Sequence, residues 1–127
     1  MMPADVASLT VALGDRTYPI LIGPRLLEIA GARLAANFPG QRLVPVIDAR
    51  LADSHWPTLA TSLNNAGCLM AEPITVPSGE SSKSWEGLQT TAEALLDRGI
   101  DRRSVVLALG GGVLGDLAGF AAASVMR

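Results

Sequence analysis

The chain has 127 residues, of which 49% are apolar, and a formal net charge of −2 at pH 7. This length corresponds to one domain or part of one, and the apolar fraction can fill a core, which excludes disorder. The low charge and an aromatic content of 4% exclude a nucleic-acid surface, because neither a basic patch nor a set of stacking rings is available. The single cysteine excludes a disulfide framework and a cysteine-rich metal site.

The sequence carries no sign of a secretory leader or a membrane span. Asp5 interrupts the N-terminal residues, and no charged-then-apolar layout follows it. The most apolar stretch, residues 105–126, contains Asp116 and five glycines. An aspartate in the middle of a bilayer is costly, so we expect a cytoplasmic protein with no membrane span.

The first predicted element is a β-hairpin, and a helix follows it. Runs rich in β-branched and aromatic residues at 8–13 and 17–22 flank a three-residue connection that contains a glycine. A helical pattern then extends from Pro24 to Ala35, and proline is suited to a first helical turn.

The rest of the chain alternates between strands and helices. Strands are predicted at 43–47, 69–76 and 105–109, helices at 51–65 and 85–98, and a helical tail follows residue 112. Pro45 and Pro73 interrupt two of the strands, because proline cannot donate to a ladder. Strands separated by helices of this length pair in parallel with right-handed crossovers. The expected fold is α/β, a Rossmann-like open parallel sheet with an N-terminal β-hairpin, over residues 1–127 as one domain.

Three polar or glycine-rich loops follow the predicted strands. One begins at Asp48, one covers residues 77–84, and one covers residues 110–116. In an open parallel sheet, ligands bind outside the carboxyl ends of the strands. The sequence therefore predicts that these three loops meet at a binding site.

The third loop has the features of a phosphate cradle. Gly110, Gly112 and Gly115 have the spacing of the dinucleotide-binding fingerprint G-x-G-x-x-G. Glycines allow a ligand to approach the backbone, and the first N–H groups of the following helix have no partners in the helix. In the simple dinucleotide fold, however, the fingerprint follows the first strand and an acidic residue lies about 20 positions after it. Here the acidic candidate, Asp48, lies upstream, so we expect a different nucleotide-binding arrangement.

The candidate residues also admit structural interpretations. Asp48 could accept hydrogen bonds from a ribose diol or cap a helix. Glu80 and Lys83 could bind a ribose or a phosphate, or they could form a solvent-exposed ion pair. Asp116 near a helix start gains from the dipole and could orient a ligand. Three small residues form a ridge suited to close helix–strand packing: Gly115, Gly119 and Ala123.

Two segments together resemble the 3-dehydroquinate synthase family. They are residues 77–83, PSGESSK, and residues 109–122, LGGGVLGDLAGFAA, followed by Arg127. The hairpin and the strand that ends at Asp48 are similar to the same family, so the resemblance covers nearly the whole chain. Sister sugar-phosphate cyclases and, more distantly, glycerol-dehydrogenase-like enzymes share parts of it.

The resemblance implies an NAD site in an N-terminal Rossmann-like domain. Asp48 matches the adenosine end, where the family often has an asparagine two positions later and this chain has Arg50. Arg127 matches an arginine that contacts the substrate, reaching it across the interface of a homodimer. The matching cofactor residues are Ser78, Gly79, Glu80, Ser81, Ser82 and Lys83 in the first loop and Gly111, Gly112, Val113, Leu114, Gly115 and Asp116 in the pyrophosphate loop.

The implied reaction converts a sugar phosphate, 3-deoxy-arabino-heptulosonate 7-phosphate, to 3-dehydroquinate and phosphate in the shikimate pathway. NAD transiently oxidises a ring alcohol, which permits elimination, and reduction, ring opening and an aldol step follow. A divalent metal, zinc or cobalt, acts as Lewis acid.

The family's metal ligands, a glutamate and two histidines, and its catalytic lysines match positions past residue 127. His55, the chain's one histidine, matches none of them. We therefore expect an N-terminal, NAD-binding fragment that lacks the helical metal domain and is inactive alone. The alternatives are a free-standing nucleotide-binding or assembly module without catalysis, or another sugar-phosphate cyclase.

Overall fold

The computed structural model describes residues 5–79 and 83–125. The strands are β1 (Ala7–Val11), β2 (Tyr18–Ile22), β3 (Arg42–Asp48), β4 (Leu69–Met70), β5 (Ile74–Val76) and β6 (Val105–Leu109). The helices are α1 (Leu27–Asn37), α2 (Trp56–Asn65), α3 (Trp85–Asp97) and α4 (Gly112–Val125). This order confirms the predicted hairpin and the alternation of strands and helices after it.

The hairpin forms a two-stranded sheet of its own. β1 and β2 pair antiparallel, with Leu9 opposite Ile20 and Thr10 opposite Pro19. A short 3-10 turn, Gly14–Arg16, joins the strands. A proline is compatible with β2 because, within the residues described, no strand pairs with its outer edge.

The main sheet is parallel and is built around β3. β6 pairs with one edge of β3, and β4 and β5 share the other edge. Leu43 of β3 packs with Leu59 and Leu63 of α2, whereas Val44 and Val46 pack with apolar residues of α3 and α4. Helices α1 and α2 thus cover one face and α3 and α4 the other. Because β3 is buried on both faces, its sequence is a continuous apolar run rather than an alternating one.

The edge strand is broken opposite Pro45. The N–H of Ala71 donates to the carbonyl of Leu43 at 2.9 Å, after which the pairing resumes only where Val46 lies beside Ile74. In a parallel strand, successive residues direct their backbone N–H and C=O groups to opposite edges. The backbone groups of Pro45 therefore point to the same edge as those of Leu43. The missing N–H of Pro45 therefore falls in the interval between β4 and β5, where the sequence predicted a break.

The side chain of Arg98, the residue that follows α3, spans this interval. Nε of Arg98 donates to the carbonyl of Glu72 at 3.0 Å, and Nη2 donates to the carbonyl of Pro73 at 3.1 Å. These two carbonyls lie between β4 and β5, where the ladder is interrupted. Arg98 replaces part of the missing strand pairing with two charge-assisted hydrogen bonds.

Helices α1 and α2 touch backbone to backbone at Gly31. Its N–H donates to Oγ of Ser62 at 2.8 Å, and the same hydroxyl donates to the carbonyl of Glu28 at 3.1 Å. A Cβ atom on Gly31 would lie 2.0 Å from the carbonyl oxygen of Ser62. The distance between these helices therefore depends on the absence of a side chain at position 31.

Two helices begin later than the sequence predicted. α1 begins at Leu27 instead of Pro24, because Arg25 has a φ of 55° and lies outside the helical region. α2 begins at Trp56 instead of residue 51, because Pro57 is compatible only with a first helical turn. No helix among the described residues is long and apolar enough to span a bilayer.

Candidate nucleotide-binding site

The carboxyl ends of β3, β5 and β6 open into one cleft with a volume of about 250 Å³. The structure thus brings together the three loops that the sequence singled out. The cleft is lined by Asp48, Arg50, Val76, Pro77, Ser78, Gly79, Gly111, Gly112, Val113, Leu114 and Leu117.

The glycine loop presents unpaired backbone donors to this cleft. The N–H of Gly115 donates to the carbonyl of Gly111 at 3.0 Å, which closes the first turn of α4. The preceding N–H groups, from Gly112 to Leu114, have no acceptor within the helix. A Cβ atom on Gly111 or Gly112 would meet no atom within 4 Å, so the space beside them is open. Such a helix terminus favours an anion.

The small-residue ridge does not have the packing role that we expected. Gly115, Gly119 and Ala123 are exposed, and a Cβ atom on either glycine would meet no atom within 4 Å. The expectation is wrong because the helical period places these residues opposite the face that is buried against the sheet. That face consists of Leu114, Leu117, Ala118 and Ala121.

Asp48 lies at the end of β3 with only 5% of its surface exposed. Its Oδ1 accepts a hydrogen bond from the backbone N–H of Arg50 at 2.8 Å, and its Oδ2 accepts one from Nη2 of Arg50 at 3.2 Å. The side-chain and backbone hydrogen bonds from Arg50 lower the pKa of Asp48 and outweigh the opposing effect of burial. Asp48 therefore caps the 3-10 turn Ala49–Leu51 and also presents an ionised carboxylate to the cleft.

Replacing Asp48 with asparagine should remove stability only where the carboxylate is ionised. The pKa in the folded protein lies below the ordinary value of 3.8, so the stabilisation is complete above that value and disappears as the pH falls through the folded pKa. The melting temperatures of wild type and Asp48→Asn should differ by a constant amount down to about pH 5 and converge at lower pH. Asp53→Asn, in the exposed turn that follows, is the control. A difference in melting temperature that does not narrow at all as the pH falls below 5 would contradict this assignment.

Lys83 connects the second loop to the glycine-loop helix. Its Nζ lies 3.3 Å from Oδ2 of Asp116, and both side chains are at least half exposed. The sequence suggested Glu80 as a partner for Lys83, but Glu80, Ser81, Ser82 and Arg127 lie outside the described residues. The structure therefore places two of the predicted cofactor residues side by side, but neither of them lines the cleft.

Two features near this site were not among the predicted site residues. Arg50, which the sequence marked only as a departure from the family's asparagine, contacts Asp48 and lines the cleft. The ion pair of Lys83 and Asp116 lines a second, largely apolar cleft of about 340 Å³. Trp85 and Phe120 line it and are 84% and 61% exposed. Nothing in the local pattern distinguished these two aromatic residues from core residues.

In residues 5–79 and 83–125, no three His, Cys, Asp or Glu side chains lie close enough together to hold a metal ion. His55 is exposed, and its Nδ1 lies 2.9 Å from the hydroxyl of Ser54.

Sequence comparisons connect these loops to one enzyme family. A family model described as 3-dehydroquinate synthase, N-terminal, matches residues 73–127, which include two of the three cleft loops. The 3-dehydroquinate synthases of Nitrobacter winogradskyi and Rhizobium johnstonii are 48% identical over 125 residues and 43% identical over 122 residues. These alignments cover 98% and 96% of this chain and 32% of each relative. The chain thus spans about a third of the length of the relatives it matches.

A solved structure shares the same architecture. The 2-epi-5-epi-valiolone synthase of Streptomyces hygroscopicus, solved with NAD+ and Zn2+ bound, superposes with a TM-score of 0.71 at 32% sequence identity. The match covers 89% of this chain and 31% of that enzyme. The likeness therefore extends over most of this chain.

Proposed function

We propose that the chain belongs to the 3-dehydroquinate synthase family and supplies the NAD-binding region of such an enzyme. The reaction would convert 3-deoxy-arabino-heptulosonate 7-phosphate to 3-dehydroquinate and phosphate. The observation that carries the proposal is the cleft where three strand ends meet. There the unpaired N–H groups of a helix start lie near a buried carboxylate.

The cleft residues divide naturally between the parts of a dinucleotide. The N–H groups of Gly112, Val113 and Leu114 would bind the pyrophosphate, and Gly111 would let it approach closely. Asp48 would accept hydrogen bonds from the adenosine ribose. A cleft of 250 Å³ lies just below the range of about 300–1,000 Å³ usual for small-molecule sites, so it suits part of a dinucleotide.

The second loop would close the cleft from the other side. Ser78 and Gly79 line its wall. Lys83 would place a positive charge beside the ligand, with Asp116 holding the ammonium group. Glu80, Ser81 and Ser82 as further cofactor contacts, and Arg127 as a substrate contact, stay predictions.

NAD bound here would supply a hydride acceptor that oxidises a ring alcohol of the sugar phosphate. The residues of this chain would bind and orient the dinucleotide. The described residues bring no set of metal ligands together. A divalent metal would be held by residues of the enzyme that this chain does not contain. We further propose that the chain is the N-terminal domain of a cytoplasmic homodimer.

The proposal is tested on the full-length protein that carries this chain. Calorimetric titration should show NAD binding, and phosphate release from 3-deoxy-arabino-heptulosonate 7-phosphate should depend on NAD. Absence of NAD binding would overturn the proposal. Binding without phosphate release from this substrate would instead favour a nucleotide-binding module, and release only from another sugar phosphate would favour a sister cyclase.

Replacing Lys83 with glutamine should weaken NAD binding about 10-fold, since a hydrogen bond to a charged group contributes about 1.5–3 kcal/mol. The melting temperature should hardly change, because exposed ion pairs such as Lys83–Asp116 contribute about 0–1 kcal/mol. Calorimetry and thermal unfolding measure the two effects separately. Arg102→Gln, an exposed cation that lines neither of the two clefts, is the control. An unchanged dissociation constant would remove Lys83 from the site.

A further inference from the structure

The adenosine end of the cleft contains a feature that a single-carboxylate site does not have. The Arg50 side chain lies against Asp48, with Nη2 3.2 Å from Oδ2. The carboxylate is only 8% exposed, whereas the arginine side chain is 73% exposed. A buried negative charge is thus covered by a positive charge that faces the cleft and the solvent.

The guanidinium group of Arg50 has more N–H donors than Asp48 accepts. It carries five N–H bonds in a fixed plane. Nη2 donates to Oδ2 of Asp48 at 3.2 Å, and Nε donates to Oδ1 of Asp48 at 3.5 Å. Both hydrogens on Nη1 and the second hydrogen on Nη2 have no acceptor within residues 5–79 and 83–125. These remaining donors form a fork of the kind that binds phosphate oxygens in pairs.

The net charge at the adenosine end of the cleft therefore differs from that of a site that contains a carboxylate alone. A single carboxylate at the adenosine ribose favours the 2′-hydroxyl of NAD and repels a 2′-phosphate, and a nearby arginine accommodates that phosphate. Here the formal charges of Asp48 and Arg50 cancel. The outer, accessible member of the pair is the cation.

We propose that Arg50 makes the adenosine end of the cleft a subsite for a ribose 2′-phosphate, so that the protein binds NADP as well as NAD. The inference rests on the proposed function, because it requires the adenosine ribose to lie at Asp48. The hydrogen bond from the Arg50 backbone to Asp48 does not depend on the side chain. Substitutions at position 50 can therefore remove the cation and leave the turn capped.

The test measures dissociation constants by calorimetry for NAD and NADP on the full-length protein and its Arg50→Asn variant. Wild type should bind the two dinucleotides within about 10-fold of each other. Arg50→Asn should lower the affinity for NADP relative to that for NAD about 10-fold or more. Arg50→Lys should retain part of the NADP affinity, and Arg16→Asn, in the hairpin turn, should change neither constant.

A smaller probe isolates the subsite from the rest of the dinucleotide. AMP and adenosine 2′,5′-bisphosphate differ only in the 2′-phosphate, so their affinity ratio should change with Arg50→Asn in the same direction as the NADP-to-NAD ratio. Equal weakening of NAD and NADP would overturn the inference and indicate that Arg50 contacts the base or the ribose. Unchanged ratios would also overturn it, with the proposed function intact. Failure of wild type to bind NAD would overturn both.

Discussion

Replacing Gly31 with alanine should destabilise the domain by about 3 kcal/mol, although alanine is the better helix former. The new Cβ would lie 2.0 Å from the carbonyl oxygen of Ser62, a backbone atom that cannot rotate away. Helices α1 and α2 would have to separate, and the hydrogen bond from Gly31 to the Ser62 hydroxyl would be lost with their contact. Calorimetric thermal unfolding and chemical denaturation of the full-length protein measure the effect.

The sign of the change at Gly31 separates packing from helix propensity. Propensity alone predicts that Gly31→Ala stabilises the protein by about 1 kcal/mol. The neighbouring substitution Ala32→Gly, at an exposed position of the same helix, should cost only that propensity difference. A rise in melting temperature for Gly31→Ala would show that the two helices are not in backbone contact.

Replacing Gly112 with valine should weaken NAD binding about 100-fold, equivalent to about 3 kcal/mol or two hydrogen bonds to charged phosphate oxygens. A Cβ at this position meets no protein atom within 4 Å, so the fold accepts the side chain. The branched side chain would instead occupy space beside the free N–H groups at the start of α4. Calorimetry gives the dissociation constant, and steady-state kinetics should show a raised KM for NAD.

The matched control for this substitution is Gly119→Ala, two turns further along α4, where a Cβ also meets no atom within 4 Å. Gly119 does not line the cleft, so NAD binding should be unchanged. Gly112→Ala should give a smaller loss than valine, because its side chain extends less far. Equal NAD affinity for wild type and Gly112→Val would remove the phosphate cradle from the proposal.

Much of this fold could be predicted because buried segments have recognisable patterns of apolar residues in the sequence. The apolar run that became β3 reflects burial on both faces of the sheet, and Pro73 marked the break in the edge strand. The order of strands and helices then determined that the polar loops would lie at one end of the sheet. The convergence of Asp48, the second loop and the glycine loop followed from connectivity.

The remaining features depend on contacts between segments that are distant in the sequence. Gly31 resembles any helical glycine until Ser62 is placed against it. Lys83 lies near Glu80 in the sequence, but the fold brings Asp116 to its side chain. The small-residue ridge on α4 suggested packing, and only the orientation of the helix showed that it faces outward. In each case the sequence showed the residue, but the tertiary structure determined what that residue contacts.

Arg98 has a consequence for motion in the cleft. Because its guanidinium group ties the end of α3 to Glu72 and Pro73, the last turn of α3 and the weakly paired sheet edge should open together as one cooperative unit. That edge continues through β5 directly into Ser78 and Gly79, which line the cleft. Fraying at a helix terminus on the opposite end of the sheet would therefore reach the ligand loop through the backbone, and amide exchange in both segments should share one opening rate.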